Sequence, residues 1–138
     1  MLIEEFLNVG NAREIDMIFS ETETLKSLHH PNIVKIINCF NLKGMDIAFV
    51  MEYLEGGELL EFVKQKKRLS EPLARTFFKQ LVEAMTYCHR KKMIHRDLKL
   101  ENILLESKDG DVIKVIRIYR LCGNKKMAYR SLTSVSLG

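Results

Sequence analysis

Eight consecutive residues, His95-Arg96-Asp97-Leu98-Lys99-Leu100-Glu101-Asn102, bring a carboxylate, a cation and a carboxamide into one short stretch that runs straight into the apolar Ile103-Leu104-Leu105. Phosphoryl transfer asks for a similar set of groups. A carboxylate orients a hydroxyl nucleophile and accepts its proton, a cation stabilises the transferring phosphoryl, and an oxygen ligand holds magnesium. Asp97, Lys99 and Asn102 supply these three groups from one loop, anchored by the short strand that follows it. A polar surface loop without a role is the plain alternative at this point.

The elements around this loop follow from periodicity. Ile15, Ile18, Phe19, Thr22, Leu25 and Leu28 recur at three- and four-residue steps, which predicts an amphipathic helix from about Ala12 to His29, stopped by Pro31. Ile33–Phe40 and Asp46–Tyr53 are rich in β-branched and apolar residues and are joined by Asn41-Leu42-Lys43-Gly44, the pattern of a two-stranded hairpin. Gly56-Gly57 breaks the chain, and a short helix over Glu58–Gln65 ends in the basic cluster Lys66-Lys67-Arg68. Ser70 is a good N-cap for a long helix over Glu71–Lys91, whose face carries Leu73, Phe77, Leu81, Ala84, Met85 and Cys88. Met93-Ile94, Ile103–Leu105 and Val112–Ile116 predict short strands, the last two separated by an Asp109-Gly110-Asp111 turn.

The octet resembles the catalytic loop of protein kinases, HRDLKxxN. The likeness extends in register on both sides. Leu25-Lys26-Ser27-Leu28-His29-His30-Pro31-Asn32-Ile33-Val34 is similar to the end of the family's helix C and the turn after it, which puts Glu21 at the position of the glutamate that pairs with the nucleotide-binding lysine. Phe49-Val50-Met51-Glu52-Tyr53-Leu54-Glu55-Gly56-Gly57-Glu58 is similar to the kinase hinge. The resemblance implies catalytic roles for Asp97, Lys99, Asn102, Arg96 and His95, with Asn102 also the metal ligand. It implies that the Glu52 carbonyl and Leu54 amide meet an adenine edge, Met51 stands as gatekeeper, Val34 and Leu104 contact the adenine faces, Glu58 reaches a ribose hydroxyl, and Glu101 belongs to the same nucleotide side.

Lys99 after HRDL marks the serine/threonine class, and Tyr87-Cys88-His89-Arg90 through Leu105 is similar to the calcium/calmodulin-dependent and AMP-activated group. The implied cofactors are ATP and Mg2+. The implied partners are a protein substrate or a partner protein, a complete kinase among them.

The expected fold is α+β: a truncated kinase-like fold with an N-lobe remnant of helix C and two strands over residues 12–54, and the start of a helical C-lobe over 55–116. Residues 1–11 form an N-terminal segment, and 117–138 a divergent basic tail expected to lack order. Three family features do not appear. Gly10 is the only glycine before Gly44, so no GxGxxG element precedes the helix; Lys26 is the first lysine, so no VAIK-type lysine does either. Arg117-Ile118-Tyr119 stands where the family has Asp-Phe-Gly. The expectation is a chain that is catalytically defective by itself, or a kinase-like protein-binding module. With the lysine strand missing, the strand ending at Tyr53 would keep an open edge, and Phe77, Leu81 and Met85 would face water.

Composition sets the remaining bounds. At 138 residues, 46% hydrophobic and 29% charged, the chain is neither disordered, collagenous nor a disulfide scaffold. The widely spaced Cys39, Cys88 and Cys122 lack CxxC spacing and suggest reduced structural thiols. His29 and His30, beside Pro31, lack partner ligands for a metal. The net charge of +4 divides into 17 basic and 18 acidic residues over 1–116 and five basic residues with no acid over 117–138. That basic stretch, with Tyr119 and Tyr129 as its only aromatic residues, is a poor nucleic-acid platform. No apolar run approaches the ~20 residues of a membrane span, and Glu4 and Glu5 stand where a signal peptide needs positive charge. A cytoplasmic or nuclear location is expected.

Overall fold

A computed structural model describes residues 2–8, 12–41, 46–95, 98–116, 118–120 and 132–136. They fall into two compact units. The first takes the described residues within Met1–Leu28, Lys35–Tyr53 and Cys122–Gly138; the second takes those within His29–Val34 and Leu54–Leu121.

The first unit is a four-stranded sheet with one helix. Its strands are β1 (Leu2–Asn8), β2 (Ile36–Asn41), β3 (Asp46–Glu52) and β9 (Leu132–Ser136), in the order β2-β3-β1-β9, and its helix is α1 (Ala12–Lys26). Ile15 and Ile18 of α1 pack with Cys39, Ile47 and Phe49, and Phe19 leans on the same cluster. Thr22 belongs to this face despite its hydroxyl, because Oγ1 donates to the Ile18 carbonyl at 2.7 Å and is satisfied inside the helix. The helix stops at Lys26, three residues before the predicted end. The Ser27 and Leu28 amides donate instead to Thr24 and Leu25, at 3.1 Å each, closing tighter three-residue turns ahead of Pro31.

Two expectations are corrected here. The strand ending near Tyr53 has no open edge: β1 pairs antiparallel with β3 along its length, from Leu2 opposite Glu52 to Asn8 opposite Asp46. LIEEFLN thus fills the place left for a missing strand, so the sheet remnant has more than two strands. Residues 132–136, expected to lack order, form β9 and pair antiparallel with β1. An edge strand presents unpaired N–H and C=O groups, and a segment of small and β-branched residues such as LTSVS satisfies them.

The second unit holds α2 (Leu59–Lys66), α3 (Glu71–Arg90), a β4-β6-β7 sheet of Gly57–Glu58, Ile103–Leu105 and Ile113–Val115, and a two-stranded pair of β5 (Met93–Ile94) with β8 (Tyr119–Arg120). Ser70 caps α3 by accepting the Leu73 amide at 3.4 Å, with Pro72 in the first turn. Phe77 is buried, contrary to expectation, because α2 and the small sheet cover it: it packs with Leu59, Ile103, Leu105 and Ile113 and meets the Phe62 ring edge-on at 6.2 Å between centroids. Leu81 also leans on this core, and Met85 is half-buried. The exposed apolar side chains of α3 are instead Phe78 and Val82, one turn apart. Among the described residues no helix is long and apolar enough to cross a membrane.

Candidate functional site

The loop that joins β5 to β6 carries the octet. Arg96 and Asp97 lie outside the described residues. On either side of them the loop is tied to one residue, Ile116, which follows β7. His95 Nε2 lies 2.6 Å from the Ile116 carbonyl oxygen, and the Ile116 amide donates to the Asn102 carbonyl at 3.0 Å. One residue, the first after β7, therefore holds both the entry and the exit of the loop.

Asn102 ends a single 3-10 turn, Leu100–Asn102, and is fully buried; its amide donates to the Lys99 carbonyl at 2.9 Å. Lys99 Nζ lies 3.5 Å from Glu101 Oε2, with both side chains about half exposed, so the pair adds little stability and leaves the ammonium in contact with solvent. Among the described residues, no buried side-chain polar atom lacks a hydrogen-bond partner.

Further predicted residues gather in the second unit. Leu104 is buried on β6, opposite Lys114 of β7 and opposite the exposed Glu58, which directly precedes α2. The buried Val34 donates its amide to the Val115 carbonyl at 3.0 Å, and Leu54 is buried. Glu21, Met51 and Glu52 belong to the first unit. Met51 is buried near the end of β3, and the Glu52 carboxylate accepts the Lys35 amide at 2.9 Å while the Glu52 amide donates to the Lys35 carbonyl at 3.0 Å. Glu21 lies on α1, its side chain outside the described residues.

Asn32 and Gln80 received no role in the sequence reading, yet they fix the strand that clamps the loop. Asn32 Nδ2 donates to Gln80 Oε1 at 2.7 Å and to the Ile113 carbonyl at 3.0 Å. Gln80 Oε1 also accepts the Ile113 amide at 3.0 Å, and its Nε2 donates to the carbonyls of Asp111 at 2.6 Å and Thr76 at 3.2 Å. The Asn32 carbonyl accepts from Val115 at 2.8 Å. The signal was present: Gln80 is a polar residue between Phe77 and Ala84 in an apolar stripe, and a polar group in such a stripe must find partners.

His30 braces the same turn. Its Nδ1 accepts the Asn32 amide at 3.0 Å, its ring lies 5.1 Å from that of Tyr87, and Tyr87 Oη accepts the His29 amide at 2.9 Å. Desolvation lowers the His30 pKa, opposed in part by the nearby Glu83 carboxylate. The sign follows from linkage. The folded state takes up this proton less readily than the unfolded chain, so the contribution is intact above about pH 6.5 and is lost as pH falls through the depressed folded value. Urea unfolding from pH 7.5 to 5 is expected to show a fall in stability that His30→Asn removes. Parallel pH profiles for the two chains would contradict this.

The family model described as protein kinase domain matches residues 6–119. Mouse NUAK family SNF1-like kinase 1 is 46% identical over 95 residues, covering 67% of this chain and 14% of that protein. CBL-interacting protein kinase 31 of Oryza sativa subsp. japonica is 43% identical over 99 residues, covering 72% and 22%, and probable serine/threonine-protein kinase MARK-C of Dictyostelium discoideum is 36% identical over 107 residues, covering 76% and 14%. The chain thus spans between about a seventh and a fifth of the length of these relatives. With its loop clamped to the strand after it and its match running through most of the sequence, the chain belongs to the protein kinase domain family.

Proposed function

We propose that this chain carries the catalytic-loop frame of a serine/threonine protein kinase, a family whose activity is ATP-dependent phosphorylation of protein serine and threonine, and that by itself it transfers no phosphoryl group. The observation that carries this reading is Arg117. It directly follows Ile116, the residue that clamps the loop, and stands where the family has the metal-binding Asp of Asp-Phe-Gly.

The donor set does not fit magnesium-bound nucleotide. Asn102 is of the right type for one ligand, but in the sequence an arginine stands at the position of the anionic one, and its permanent positive charge would repel a metal rather than bind it. The strand β1 that lies against β3 reads LIEEFLN and offers no lysine to phosphates. Loss of one preorganised electrostatic group costs roughly 10²–10³ in rate, so Asp97, Lys99, Arg96 and His95 are left as a frame with little to act on. Glu21, Val34, Met51, Glu52, Leu54, Glu58, Glu101 and Leu104 hold the family's nucleotide positions in this proposal, with ATP and Mg2+ as the ligands of the family rather than of this chain alone. A protein partner and a cytoplasmic setting accord with the reading.

The full chain, incubated with Mg2+, ATP labelled at the γ-phosphoryl and a mixture of serine- and threonine-containing peptides, is expected to incorporate no more label than its Asp97→Asn variant. Incorporation tenfold or more above that variant would overturn the proposal. A second reading, a kinase-like protein-binding module without catalysis, is favoured by the exposed Phe78 and Val82 of α3.

A further inference from the structure

The edge of β1 is filled by a distant part of the same chain. Strand β9 pairs with it antiparallel, with Ile3 opposite Ser136, Glu4 opposite Val135 and Phe6 opposite Leu132, across one irregularity between Glu4 and Phe6. Without β9, β1 would end the sheet, since the order is β2-β3-β1-β9. A strand left at an edge offers a row of unpaired backbone groups to any other polypeptide.

The two stretches of sequence also differ in net charge. Residues 1–28 carry six acids, Glu4, Glu5, Glu14, Asp16, Glu21 and Glu23, against Arg13 and Lys26, a net of −4; residues 117–138 carry five bases and no acid. Opposite net charges raise the encounter rate of two segments and steer them together. The composition of β9 is also suited to the task. Leu132-Thr133-Ser134-Val135-Ser136 offers β-branched and small side chains and no charge, so it can add to a sheet without burying an unpaired ion.

We propose that the edge of β1 is a strand-docking site whose occupant is the uncharged strand β9 of the same chain, and that docking closes the sheet against pairing with other polypeptides. Docking of β9 does not depend on phosphoryl transfer. Backbone hydrogen bonds supply the affinity, as in strand addition generally.

The test is a cross-link in the full chain with Cys122→Ser. Ile3→Cys combined with Ser136→Cys places two thiols on residues that face each other across an antiparallel pair, where Cα separations of about 4.5–5.5 Å suit a disulfide. In oxidised glutathione this pair is expected to form an intramolecular disulfide at least tenfold faster than Phe6→Cys combined with Ser136→Cys, which is out of register. Equal rates for the two pairs would overturn the docking register. A disulfide that joins two copies would overturn docking within one chain.

A second variant tests the closure. Ser134→Pro with Val135→Pro removes two successive amides, one of which must face β1 because successive amides of a strand point to opposite sides. It is expected to show more concentration-dependent association in sedimentation than the parent chain. A variant that associates no more than the parent, with β1 amides as protected from hydrogen exchange as in the parent, would refute the closing role.

Discussion

Replacing Asn32 with alanine is expected to lower the free energy of unfolding by about 3 kcal/mol, well above the ~1 kcal/mol of a typical substitution. The side chain is buried and gives both of its amide hydrogens, one to Gln80 and one to the Ile113 carbonyl. Alanine leaves the Ile113 carbonyl and one lone pair of Gln80 Oε1 without a donor. Each buried polar group orphaned in this way costs about 1–3 kcal/mol. The loss spreads along β7, since Val115 donates to the Asn32 carbonyl and Ile116 holds the loop through His95 and Asn102. Urea unfolding measures it directly. Glu71→Ala breaks the exposed 2.7 Å pair with Arg75 and is expected to change stability by less than about 0.5 kcal/mol. Equal effects from the two substitutions would remove the clasp from the account.

The glycines supply the second large effect, and they differ among themselves. A Cβ on Gly56 would lie 2.5 Å from the Leu105 carbonyl oxygen and 2.7 Å from its carbonyl carbon. That backbone cannot yield, because the Gly56 amide donates to the same oxygen at 3.1 Å and Leu105 is fully buried in the core around Phe77. Gly56→Ala therefore has to push β4 off β6, and a cost of about 3 kcal/mol is expected, at the upper end for overpacking. Gly57 has open space around it but a φ of +68°, so alanine there is expected to cost about 1 kcal/mol of backbone strain. At Gly110 the close neighbour is the Ser107 side chain, which can rotate away, and the cost should be the smallest of the three. Urea midpoints ranked in another order would contradict this reading of the contact between Gly56 and β6.

Much of the frame was legible before any coordinates. The long helix could be read because a cap, a proline in the first turn and a regular apolar stripe all agree, and α3 runs over Glu71–Arg90. The strand Ile103–Leu105 was equally clear, being a short apolar run after a polar loop. What the sequence concealed depends on contacts between distant segments. Nothing in LIEEFLN says that it pairs with Asp46–Glu52, and nothing in LTSVS says that it pairs with LIEEFLN, since strand pairing is decided by partners rather than by local preference. Phe77 was misjudged for the same reason: its partners on α2 and β6 are close in space but not in the chain. The catalytic motif was read from residue types, whereas the Asn32–Gln80 clasp behind it links positions 48 residues apart and became visible only through its hydrogen bonds.

The central claim is that the chain keeps a folded kinase-type loop frame without a working nucleotide site, and a thermal melt with and without 5 mM Mg·ATP tests it most directly. A site whose Kd is one hundredth of the nucleotide concentration would add about 2.7 kcal/mol and raise the midpoint by roughly 10 °C for a domain of this size. The account predicts a cooperative transition that Mg·ATP moves by less than about 1 °C, the change expected of a Kd well above the nucleotide concentration. A rise of several degrees, abolished by omitting magnesium, would show that the chain completes a metal-nucleotide site despite Arg117 and would contradict the account.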